Sequence, residues 1–170
     1  GIIFIIILII AWYLISPAFK VVKLNEASPL EVNDNLNSMD STTLTNFEEA
    51  MDIAASDSST VFEMMPSEIS KIKENDFTER AHEVEGKALI INDNDQNILR
   101  FEDFETINGP NLHVYLSTEL GISDAVDLGE LKANSGSFNY ELEDIDIEKY
   151  NQVLVWCQPF KVLFSYADLS

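Results

Sequence analysis

From about Asp76 onward the chain breaks into short runs of alternating apolar and polar residues separated by turn residues, which is what most constrains its fold. The runs are Val84 to Ile91, Ile98 to Phe104, Leu112 to Ser117, Ala125 to Leu131, Phe138 to Leu142, Val153 to Cys157 and Lys161 to Phe164. A strand sends successive side chains to opposite faces, so alternation on this scale marks half-buried strands. Asn92 to Asn97 joins the first two runs and is rich in Asn and Asp, as a hairpin loop requires. No stretch suggests a strand–helix–strand unit. The expected fold is therefore an all-β domain over residues 76–170, an antiparallel sandwich or a barrel.

The other end opens with an unbroken apolar run, Ile2 to Ile15. As a helix, residues 1–19 would extend roughly 28 Å, close to the ~30 Å hydrocarbon core of a bilayer. Trp12 and Tyr13 suit a membrane interface, and Pro17 suits a helix end. Two outcomes fit: an uncleaved single-pass anchor, truncated at its N-terminus because Gly1 is not an initiator, or a signal peptide cut near Ser16-Pro17-Ala18. The anchor is favoured by the length and isoleucine density of the run. Lys20 and Lys23 follow it, but long domains cross membranes largely regardless of their own charge. The expectation is a cell-membrane protein, holding the bilayer through residues 1–19 with its C-terminal domain extracytoplasmic.

Between these parts, residues 20–75 show no strand alternation. Leu24 to Asn75 carries eleven acids and two lysines among many Asn, Ser and Thr residues. It suggests an acidic tether with one short helix near 44–55, where Thr45-x-x-Glu48 resembles a capping box and Leu44, Phe47, Met51 and Ala54 approach helical spacing.

The whole chain has 170 residues with Lys+Arg 10 against Asp+Glu 30, a formal charge of −20. Neutralising phosphates takes clustered Lys and Arg, so nucleic acid is excluded as a partner. The acidity is dispersed and marks a solvated surface. One cysteine excludes a disulfide within the chain, and hydrolase, kinase, nucleotide-binding and metalloprotease motifs are all missing. A conventional enzyme is not expected.

Cys157 is the residue with most chemical scope. It shares a strand face with Val153 and Val155, while Leu154 and Trp156 take the other, so its strand is expected to be central and buried. A buried thiol behaves as a small hydrophobe, whereas a reactive one needs an electropositive and partly open setting, for which Lys161 alone is near in sequence. His82 and His113 are the other candidates for ligation, and with Cys157 they make a donor set suited to copper or zinc. Their spacing gives no support, and no histidine or methionine follows Cys157, as a blue-copper site would require. The metal expectation is none. The Asp93 to Asn97 loop also fails as a calcium loop, with Ile98 and Phe104 where a glycine and a glutamate are needed.

Several blocks occur in order from Phe77 to Leu169: Phe77-x₄-His82-x₃-Gly86, Leu99-Arg-Phe-x-x-Phe104, Gly109-Pro-Asn-Leu-x-Val-Tyr-Leu-Ser117, Leu128-Gly-x-Leu-Lys132 with Gly136 and Tyr140, and Tyr150-x-x-Val-x-x-Trp-Cys157-x-x-Phe160-x-Val162-x-Phe164-x-x-Ala167-x-Leu169. Together they resemble the DM-thirteen domain family, the electron-transfer DM domain. Asn75-Asp76, Asn111 and Ser165 depart from the family's usual residues at turns. The resemblance implies a β-rich extracytoplasmic module with redox work at the position of Cys157, as a bare thiol or as the ligand of a prosthetic group such as haem. His82 and Trp156 are the residues expected to line such a site.

Three functions follow as expectations. The first is a membrane-anchored redox or electron-transfer module centred on Cys157, with haem or no cofactor ahead of copper and an unidentified redox partner. The second is a cell-surface binding or structural module in which Cys157 only packs. The third is a cation-binding surface protein, which needs carboxylates converging within ligand distance.

Overall fold

The structure is a computed structural model that describes residues 1–16, 20–31, 69–94 and 96–170. The expected helix near 44–55 lies outside the described residues. The apolar run forms α1, Ile2–Ile15, and its large side chains from Ile2 to Ile10 are exposed. Fourteen residues rise about 21 Å, short of a ~30 Å hydrocarbon core. Among the described residues no helix is long and apolar enough to cross a membrane.

Among the described residues ten strands follow: β1 (Lys23–Asn25), β2 (Ser70–Asp76), β3 (Thr78–Glu79), β4 (Val84–Asp93), β5 (Gln96–Thr106), β6 (Leu112–Ser117), β7 (Ala125–Glu130), β8 (Ser135–Leu142), β9 (Gln152–Cys157) and β10 (Val162–Asp168). They form two five-stranded sheets, ordered β1-β8-β5-β4-β2 and β3-β10-β9-β6-β7. All pairings are antiparallel except that of β1 with β8. The expected all-β sandwich is present. The alternating residues of both sheets meet in one core, with Leu99, Phe101, Phe104 and Phe138 from the first sheet and Leu112, Val114, Val153, Val155 and Cys157 from the second. The loop expected from Asn92 to Asn97 is tighter than that. Asn92 and Asp93 pair with Asn97 and Gln96, and Asn94 takes the left-handed conformation at φ 50°.

The structure departs from the expected tether at both of its ends. β1 joins one edge of the first sheet and β2 the other. Neither shows alternation in sequence, because Leu24 alone in β1 and Lys73 alone in β2 are half-buried while their neighbours are exposed. Such short or charged edge strands also deter pairing with other chains. The N-terminal segment is fixed further by Arg100, which is 4% exposed and donates through Nη1 to Glu26 O (3.2 Å), Ala27 O (3.3 Å) and Asn139 Oδ1 (2.9 Å). Its Nε pairs with Glu102 at 3.0 Å. These bonds satisfy a buried guanidinium that would otherwise be costly.

Gly136 in β8 has φ +121°, and a Cβ there would collide with the backbone carbonyl of Leu24. The parallel seat of β1 therefore depends on a position without a side chain. Gly136→Ala is expected to lower stability by more than about 1 kcal/mol, read as a drop in the urea midpoint. The far-ultraviolet spectrum should stay β-rich, because the other nine strands keep their partners.

Candidate functional site

β9 is the middle strand of the second sheet, between β10 and β6. Cys157 pairs in register with Leu112 on β6 and Val162 on β10. It is free, fully buried, and part of the core cluster. Its Sγ–H donates to the carbonyl of Pro110 at 3.3 Å. The loop ahead of β6 is pressed onto this end of the core: a Cβ at Gly109 would stand 2.8 Å from the Phe164 ring, and Asn111 O accepts from Gln158 N at 3.2 Å. The Gly-Pro-Asn sequence thus lays a carbonyl over the sulfur where a bulkier loop would be held off.

His82 reaches the same end of the sandwich from another direction. Arg80 N and Ala81 N both donate to Phe164 O, at 3.0 and 3.1 Å, and the His82 ring lies 4.1 Å from the Phe164 ring. Contacts run from His82 to Phe164, from Phe164 to Gly109, and from Pro110 to Cys157. Phe164, not the sulfur, is what the His82 ring touches. Trp156 faces the opposite side of β9, in register with His113 and Leu163, and its Nε1 is buried without a hydrogen-bond partner. The three sequence candidates do not form one cavity. A sulfur with no exposed surface offers no open face to a planar haem, so the residues present do not fit that group at Cys157. Among the described residues no three His, Cys, Asp or Glu side chains are grouped to hold a metal ion.

A polar network on the outer face of the same sheet escaped the sequence reading. Tyr115 on β6 and Asp127 on β7 are register partners. His113 Nδ1 approaches both Asp127 carboxylate oxygens, at 3.0 and 3.1 Å. Gly129 N donates to the same carboxylate at 2.8 Å. Gln158 Nε2 donates to the Tyr115 hydroxyl at 2.5 Å. Partial burial alone would raise the Asp127 pKa, but the hydrogen bonds from His113 and Gly129 outweigh it and hold the carboxyl below its ordinary value. Burial first, and the Asp127 carboxylate second, push the Tyr115 phenol above its ordinary value. The partner Asp127 depends on cross-strand register, which no local pattern displays.

Comparison with known proteins gives one family. The model of a family described as electron transfer DM13 matches residues 76–169, more than half of the chain. The chain belongs to the electron transfer DM13 family. No curated protein and no solved structure matches it. The DM13 region begins at the last residue of β2 and contains β3 through β10, so Cys157, His82, Trp156 and the Tyr115 network all fall within it. β1 and nearly all of β2 lie outside it, although both are paired into the DM13 sandwich.

Two outcomes follow. A thiol with no exposed surface reacts only after local or global opening, so maleimide labelling of Cys157 in native buffer should lag far behind labelling in denaturant. Fast native labelling would contradict the burial. Asp127 has a lowered folded pKa, so its stabilising contribution is complete above the unfolded carboxyl value near ~4 and is lost as pH falls through the folded value. Asp127→Asn should lower the melting temperature at neutral pH and remove part of the acid-side decline, measured as melting temperature against pH.

Proposed function

We propose that this chain is an electron-transfer module held at a membrane by its N-terminal segment, with the DM13 domain on the extracytoplasmic side and Cys157 as its candidate redox group. The family match supports the electron-transfer role. The apolar run from Ile2 to Ile15 supports the anchor, since it is free of charges and leaves large apolar side chains uncovered. The observation that carries the role of Cys157 is its place: a fully buried sulfur on the central strand, bonded to a backbone carbonyl. Such a sulfur is shielded from external thiols, so disulfide exchange would need the sandwich to open first. Lys161, the cation nearest to it in sequence, is exposed in the turn between β9 and β10.

The same burial favours a second function, a surface binding or structural module in which Cys157 packs as a small hydrophobe. The discriminating experiment uses the whole chain in detergent, with Cys157→Ser alongside. Electron exchange with a soluble outer-sphere mediator is followed by stopped flow, and folding by circular dichroism. Loss of exchange in a folded Cys157→Ser protein is the expected result. Unchanged exchange would remove Cys157 from the electron path, and no exchange by either protein would leave the packing role.

A further inference from the structure

The outer face of the second sheet carries a buried phenol with built-in proton management. Tyr115 is 6% exposed, though it points away from the main core, and its hydroxyl is engaged by Gln158. Gln158 Nε2 donates to the oxygen, which leaves the hydroxyl hydrogen to be given away. Its cross-strand partner is Asp127, whose carboxylate stands beside it on the same face of the sheet and helps to raise the phenol above its ordinary pKa. Asp127 is in turn held by His113 and by Gly129 N. An ionised carboxylate only accepts hydrogen bonds, so His113 Nδ1 bears the proton and donates. The His113 and Tyr115 rings are nearly parallel, with centroids 6.2 Å apart.

A phenol cannot lose an electron at a moderate potential while keeping its proton, and a neighbouring base that takes the proton removes that obstacle. We propose that Tyr115 is a one-electron redox group of this domain, with Asp127 as its proton acceptor and His113 as the residue that positions Asp127. Tyr115 gives one electron to a one-electron oxidant at the sheet surface, and its hydroxyl proton passes to the Asp127 carboxylate. The products are a neutral phenoxyl radical, a neutral carboxylic acid and the reduced oxidant; re-reduction returns the electron to the ring and the proton to its oxygen. The lowered pKa of Asp127 keeps the acceptor ionised at neutral pH. The low exposure of Tyr115 shields the radical from solvent and from coupling with a second ring. The inference rests on the electron-transfer role of the domain but not on Cys157.

The test mixes the whole chain in detergent with hexachloroiridate(IV), an outer-sphere one-electron oxidant, and follows both its reduction and the electron paramagnetic resonance of the frozen mixture. The wild-type protein should give a neutral phenoxyl signal, which Tyr115→Phe removes and Tyr166→Phe leaves in place. Asp127→Asn keeps the shape of the carboxyl group but cannot take the proton, so it should slow oxidation about a hundredfold, within the usual contribution of a positioned base. A phenoxyl signal that survives Tyr115→Phe, or an Asp127→Asn protein oxidised at the wild-type rate, overturns the assignment. Should Tyr115→Phe fail to fold, the Asp127→Asn rate decides alone. A wild-type protein that reduces no oxidant overturns the electron-transfer role together with this inference, whereas normal reduction without a phenoxyl signal overturns only the inference.

Discussion

The sandwich is organised around the ring of Phe101. It contacts Phe77 at 4.8 Å, Phe104 at 5.0 Å, Phe138 at 5.2 Å and Tyr140 at 5.6 Å between centroids. These rings come from β5, β8 and the short link between β2 and β3, so one cluster ties the first sheet to the segment that leads into the second. Tilted and edge-on ring pairs add about 0.5–1.5 kcal/mol each beyond the area they bury. Everything at the functional end leans on this cluster: Phe77 marks the departure of the chain toward β3, and β3 in turn pairs with β10, whose Phe164 meets both His82 and Gly109.

The core cluster and the outer-face network impose opposite demands on the same strand. β9 turns Val153, Val155 and Cys157 inward to an apolar core, and Leu154 and Trp156 outward toward a face bearing His113 and Tyr115. The inward face excludes water from the sulfur. The outward face keeps charged and hydrogen-bonding groups within range of a buried phenol. One strand thus separates a thiol set in an apolar core from a phenol set among hydrogen-bonding and charged side chains.

The strands from Val84 onward were legible because one-sided burial writes a period of two into the sequence. The central position of β9 was legible for a related reason, since Leu154 and Trp156 made its second face apolar as well. β1 and β2 were not legible, because an edge strand with one half-buried residue carries no period. Nor was the partner of Arg100 or of Tyr115. Glu26 and Ala27 lie more than seventy positions from Arg100, and Asp127 meets Tyr115 through register. Such contacts are set by strand pairing across the whole sheet, which local pattern does not encode. Nor was the neighbour of His82 legible: it is Phe164, a contact that the docking of Arg80 and Ala81 on β10 creates.

The seating of β1 against β8 also sets how far the domain strays from whatever holds its N-terminus. Ser16 to Val22 separates α1 from β1, and those seven residues extend to at most about 25 Å. The acidic stretch of residues 32–68 adds nothing to that leash, because the chain has already joined the sheet before it begins. A flexible tether of fifty residues would let the sandwich sweep a wide volume in search of a partner. On so short a leash it stays within a thin layer around that attachment.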